Sequence, residues 1–121
     1  VADLDDALDH YRRVFGATVD FRERFDEDGV EVAAILIGDL YLHLLAATRD
    51  DSDVAAFVEE WGPGLHHVGY RVADAASAAA QLADQGYEVV DDEPQPGPRG
   101  SRVAYVNPHE VDGTIIQLVE I

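Results

Sequence analysis

Three polar side chains interrupt strands that are otherwise apolar. His43 stands in Leu40–Leu45, His67 in Leu65–Val72 and Gln117 in Thr114–Val119. A polar group in such a place costs free energy unless something pairs with it. Two imidazoles and an amide oxygen suit a divalent ion such as Zn, Mn, Co, Ni or Fe. Arg99 and Arg102 flank a Pro/Gly loop, Glu93–Gly100, and are the obvious contacts for a phosphate or carboxylate in an acidic chain. His66 reads as packing or as a partner of His67. His10 falls on the exposed side of a helix, and His109 in a solvent-facing loop. Asp50, Asp51 and Asp53 read as a solvated helix start, and Trp61 as core or interface.

The elements that must position these groups follow from periodicity. Asp3–Phe15 places Leu4, Leu8, Tyr11 and Phe15 at helical spacing, with acids in the first turn and Gly16 as a stop. Ala17–Arg24 alternates, with Val19 and Phe21 expected on one face. Asp26–Gly29 is a turn. Val30–Ile37 and Leu40–Leu45 are apolar strands separated by Gly38-Asp39. After a linker, Asp50–Gly64, in which Val54, Phe57, Val58 and Trp61 form one helical face, the order is strand (Leu65–Val72), helix (Ala73–Gln85), short strand (Tyr87–Val90), loop, and two strands (Arg102–Val106 and Thr114–Val119).

The two halves repeat one another. Val1-Ala2-Asp3 returns as Val72-Ala73-Asp74, Gly16-Ala17 as Gly86-Tyr87, and His43 corresponds to Gln117. The unit is βαβββ, and the first copy lacks its opening strand. By the same count, the partner of His67 falls a few residues before Val1. The expected fold class is therefore α+β: two βαβββ modules forming a curled mixed sheet around a central cleft. Residues 1–121 would form one domain, with module one at 1–48, a linker at 49–64 and module two at 65–121. Alternation sends His67, Gly69 and Arg71 to one face and His66, Val68, Tyr70 and Val72 to the helix-packed face. Gly69 would leave room for a ligand. Symmetry would then carry His43, His67 and Gln117 towards one point in the cleft.

Composition excludes several function classes. The 121 residues carry 25 acids against 8 basic residues, all arginine, for a formal charge of −17. That balance argues against nucleic acid. No cysteine means no disulfide scaffold, thiolate metal site or thiol nucleophile. No run approaches the ~20 apolar residues of a membrane span, and no basic leader precedes the first helix, so the expected compartment is the cytoplasm. The chain has no methionine, not even at position 1, so Val1 is not expected to be the natural start.

VADLDDALDHYRRVFG resembles the segment after the first strand, and GPGLHHVGYRVAD the opening of the second module, in the vicinal oxygen chelate superfamily, the glyoxalase and bleomycin-resistance fold. Within it, LHLLAATRDDS, GPGLHHVGYRV and PGPRGSRVAYVNPHEVDGTIIQLVE are most similar, in order, to the methylmalonyl-CoA epimerases. The resemblance covers the whole chain. It implies a divalent metal held by four side chains: a histidine on an opening strand ahead of Val1, and the residues at His43, His67 and Gln117. It implies proton abstraction α to a thioester, with the metal stabilising the enolate and carboxylates exchanging the proton. This chain departs from the pattern at two carboxylates. Gln117 stands where the family has a glutamate, and an amide is no base. Val32 occupies the second glutamate position, with Glu31 next to it but pointing to the opposite face.

The expected function is thus a metal-dependent isomerase or epimerase acting on an acyl thioester or 2-substituted acid. Gln117 and Glu31 take the catalytic positions. Arg99, Arg102 and Tyr105 are the substrate contacts, and His43, His67 and Gln117 the metal ligands. The expected partner is a small molecule such as an acyl-CoA, with neither nucleic acid nor membrane, and a homodimer is expected because an open sheet edge favours pairing. The alternatives are another metalloenzyme of the superfamily (lyase, dioxygenase or glyoxalase-like) and a metal-free small-molecule-binding or resistance protein.

Overall fold

A computed structural model describes residues 1–90, 93–107 and 115–121. His109, Thr114 and most of the loop through Pro108 and Gly113 lie outside the described residues. The fold is α+β with two sheets, one of three strands and one of four. The chain divides into two compact units, Val1–Leu65 and His66–Ile121.

In the first unit, α1 (Leu4–Phe15) is followed by β1 (Thr18–Phe25), β2 (Val30–Ile37), β3 (Leu40–Ala47) and α2 (Asp53–Trp61). The strands form an antiparallel sheet in the order β1-β2-β3. Leu4 and Leu8 of α1 pack on Ala33 and Ile35 of β2 and on Leu44 and Ala46 of β3. Alternation fixes which side chains join this core, because residues two apart share a face. Phe15 stays 54 % exposed. It continues the helical spacing of Leu4, Leu8 and Tyr11 but not their burial, and its ring lies beside Tyr11 and His10. Trp61, at the end of α2, is 71 % exposed in this chain.

One residue breaks the alternation of β1. Val19 pairs with Ile35, but Phe21 pairs with Ala34, so Asp20 is an extra residue on its strand. Such a bulge reverses the facing of everything beyond it. Val19 packs towards α1, whereas Phe21, in register with Ala34, faces away. The two therefore lie on opposite faces, contrary to the expectation from simple alternation.

In the second unit, β4 (His67–Arg71) leads through α3 (Ala75–Asp84) to β5 (Gln95–Pro96), a single 3-10 turn (Pro98–Gly100), β6 (Arg102–Val106) and β7 (Ile115–Glu120). The sheet order is β4-β7-β6-β5, with β4 parallel to β7 and the other pairs antiparallel. Where the sequence predicts a strand at Tyr87–Val90, only Val89 pairs, as an isolated bridge to Val106. Ala104, Val106 and Leu118 form the core under α3 with Val72, Ala78 and Leu82. Among the described residues no helix is long and apolar enough to cross a membrane.

The repeated sequence marks have a local physical cause. Asp3 accepts a hydrogen bond from the Asp6 amide at 2.9 Å, and Asp74 one from the Ser77 amide at 3.0 Å, so each copy of Val-Ala-Asp is a helix N-cap. Gly16 and Gly86 sit just beyond the same two helices at φ 65° and 94°, where a side chain would be strained. The start of α3 has a second acceptor: Glu120 on β7 takes the Ala75 amide at 2.8 Å, which ties the helix to its sheet. The first unit has a further brace. Arg49 donates to the carbonyls of Asp26 and Glu27 and so holds the β1–β2 turn, while Ser52 caps α2 through the Ala55 amide at 3.1 Å.

Losing one such cap costs about 1 kcal/mol. We expect Asp74→Ala and Ser52→Ala each to lower stability by about that much in urea denaturation. The Asp74 change falls at the low end if Glu120 carries most of the helix start. A change within error for both would show that the caps do not hold these helices.

Candidate functional site

The side chains that could do chemistry lie on the sheet faces turned away from the helices. In the second unit that face carries His67, Gly69 and Arg71 of β4, Gln117 of β7 and Tyr105 of β6, because Gly69 and Tyr105 are the register partners of Gln117 on either side. Gln117 is 8 % exposed, and its Nε2 donates to the Tyr105 hydroxyl at 3.0 Å. Its Oε1 lies over Gly69, where a Cβ would come within 3.1 Å of it and within 3.3 Å of Val119 Cγ2. The space beside Gly69 is thus taken up by Gln117 and Val119 rather than left for a ligand. The His67 ring meets Tyr105 edge-on, centroids 5.9 Å apart. His66 and His67 face each other through their Nδ1 atoms at 2.9 Å, so one ring donates and the other accepts. With His67 as donor, its Nδ1 carries the proton, and Nε2 is then the ring nitrogen with ligand chemistry.

In the first unit the corresponding face carries His43. It pairs with Ala34 of β2, which in turn pairs with Phe21 of β1. The Phe21 and Tyr41 rings flank the His43 ring at 5.9 and 5.5 Å. Tyr41 donates to the carboxylate of Asp20, the bulged residue. Desolvation holds the His43 imidazole below its ordinary pKa, which favours the neutral, ligating form. Beyond the bulge, Glu23 pairs with Val32, so a carboxylate faces the same side as Phe21 and His43, directly across from the position where the family pattern has a glutamate. The sequence reading missed Glu23. The only signal was an aspartate in the middle of a strand, where it marks the extra residue.

The other sequence-derived candidates lie elsewhere. Glu31 pairs with Arg24 and Ala46, on the helix-covered face, and is bound to Arg22 at 3.0 Å, which also reaches Asp5 of α1 at 2.7 Å. Arg102 pairs with Glu120 and lines a groove beneath α3 with Ala79, Ala83 and Glu93, on the opposite face from Gln117. Its place on the strand fixes this, since Ala104 and Val106 two and four residues on are under α3. Arg99 occupies the 3-10 turn with φ 55°. Among the described residues Arg71 is the arginine on the face of His67 and Gln117. No three His, Cys, Asp or Glu side chains cluster among the described residues.

Residues 1–105 match the family model of the Glyoxalase/Bleomycin resistance protein/Dioxygenase superfamily. The chain is 31 % identical over 124 residues to the ethylmalonyl-CoA/methylmalonyl-CoA epimerase of Cereibacter sphaeroides, covering 100 % of this chain and 92 % of that one. A variant of Streptomyces coelicolor methylmalonyl-CoA epimerase, solved in complex with 2-nitronate-propionyl-CoA, superposes with TM-score 0.94 at 36 % identity, covering 98 % of this chain and 87 % of that one. The epimerase of Mycobacterium tuberculosis gives TM-score 0.94 at 30 % identity over 99 % of this chain and 81 % of that one. With the family model matched along most of its length and relatives above 30 % identity along all of it, the chain belongs to the glyoxalase/bleomycin resistance/dioxygenase superfamily.

Proposed function

We propose that this protein is a metal-dependent isomerase of the methylmalonyl-CoA epimerase type, acting on the carbon α to an acyl thioester. The observation that carries the reading is the placement of His43 and Gln117 at matching positions of two repeated sheets, each on the face its helix leaves open. Relatives that cover the whole chain and are solved with acyl-CoA ligands support the substrate class. The donor types suit a divalent ion: an imidazole at His43 in the first unit and, in the second, an imidazole at His67 and the amide oxygen of Gln117. Such an ion supplies charge stabilisation to the oxygen on which negative charge develops.

The chain's own residues do the rest. His67 is held by the Nδ1 contact with His66, and desolvation favours the neutral form of His43. An amide cannot accept a proton, so the base is a carboxylate, and Glu23 is a carboxylate facing the same side as His43 in the first unit. Its carboxylate takes the α-hydrogen while the C–H electron pair passes into the thioester. Return of a proton to the opposite side of that carbon inverts it, and return to the same side exchanges hydrogen alone. Arg71, on the His67 face, is placed for an anionic group of the substrate, whereas Arg102 lies on the opposite face. Arg99 remains a contact from the loop, and Tyr105 acts beside Gln117. A cytoplasmic homodimer completes the reading; the outer edge of β3 has no strand partner among the described residues.

Incubation with methylmalonyl-CoA and manganese in D₂O is expected to place deuterium at the α-carbon. Glu23→Gln should lower that rate by about 10²–10⁴-fold, the usual contribution of a positioned base, while leaving manganese affinity unchanged. Full activity of Glu23→Gln would place the base elsewhere. No exchange by the metal-loaded protein would remove the isomerase reading and favour a binding module.

The His43 ring should titrate below the ordinary imidazole value of about 6.5 when its NMR signals are followed with pH. The sign for stability follows. A depressed histidine pKa means that the unfolded chain binds the extra proton more readily, so this contribution is complete above about pH 6.5 and is lost as pH falls towards the folded-state value. Titration at or above 6.5 would contradict the desolvated environment.

A further inference from the structure

We infer that Tyr105 is a positioning residue for Gln117: its hydroxyl fixes which end of the amide is presented as a ligand. The inference rests on the metal-dependent reading above and extends it to a residue that binds no metal. A carboxylate offers an oxygen at either end, so it ligates whichever way its terminal bond turns. An amide has one oxygen and one NH₂, and only the oxygen can ligate a cation. A chain with glutamine at this position needs something to stop the amide turning.

Tyr105 meets that need by register. It lies directly across β6–β7 from Gln117, and its hydroxyl accepts from Nε2 at 3.0 Å. With the NH₂ end engaged there, Oε1 is sent the other way, towards β4, where the missing side chain of Gly69 admits it at 3.1 Å from the ideal Cβ site. Gln117 is buried at 8 % exposure, so solvent does not compete freely for the NH₂. The same Tyr105 ring packs edge-on against His67 at 5.9 Å. One side chain therefore restrains two of the candidate ligands. Such supporting contacts are worth about 10–100-fold in metal affinity.

The test is a double-mutant cycle read by manganese binding to the full chain, with Mn²⁺ alone as the probe and EPR of the free ion as the readout. Tyr105→Phe removes the hydroxyl and keeps the ring against His67. It is expected to weaken manganese affinity about tenfold in the presence of Gln117. In a Gln117→Glu background the same change should cost threefold or less, because either carboxylate oxygen can ligate. A second readout needs no metal: the Gln117 side-chain NH₂ signals should exchange slowly with solvent in the unaltered protein and quickly in Tyr105→Phe. Equal losses in both backgrounds, or none in either with wild-type manganese binding intact, would overturn the positioning role and leave the metal reading standing. Absence of manganese binding by the unaltered chain would overturn both.

Discussion

A single helix can cover only one face of the sheet it packs on. That constraint organises both units. In each, the buried face is set by an alternating apolar row against a capped helix: Leu4 and Leu8 on Ala33, Ile35 and Leu44 in the first, and Ala78 and Leu82 beside Ala104, Val106 and Leu118 in the second. His43, His67 and Gln117 fall on the other face by the same period of two. His43, His67 and Gln117 are polar where they are because the residues on either side of them are committed to the helices.

The repeat and the open-face residues of the second unit were legible in the sequence, for local reasons. Val-Ala-Asp recurs because each copy ends in an N-cap, and the glycines recur because each helix stops in a left-handed turn. β4 and β7 contain no irregularity, so alternation places His67, Gly69, Arg71 and Gln117 on one face, as it does in the structure. The hydrogen bond that joins Gln117 to Tyr105 was not legible, because it depends on the register between β6 and β7 rather than on either strand alone. Gly69 was misjudged for the same reason. Its emptiness is filled from the neighbouring strand.

The first unit was less legible because of Asp20. Alternation read straight through β1 puts Val19, Phe21 and Glu23 together on the side of α1. The bulge separates Val19 from Phe21 and Glu23, while Glu31 lies on the helix side beside Arg22, as alternation along β2 requires. Arg102 shows a related limit. An arginine beside a Pro/Gly loop looks like an anion contact, but its strand position two residues from Ala104 commits it to the groove beneath α3.

The bulge at Asp20 behaves as a frameshift in side-chain facing rather than in codons. Upstream of it β1 reads in one phase, and downstream in the other, so a single extra residue decides which of two adjacent and oppositely charged side chains, Arg22 or Glu23, looks towards α1. As the strand stands, the arginine meets Asp5 and Glu31 and the glutamate stands on the side of His43. Removing one residue there would exchange the two, putting a cation beside the imidazole and a third carboxylate among Asp5 and Glu31. The length of this strand, counted in single residues, therefore sets the electrostatic sign of both faces at once.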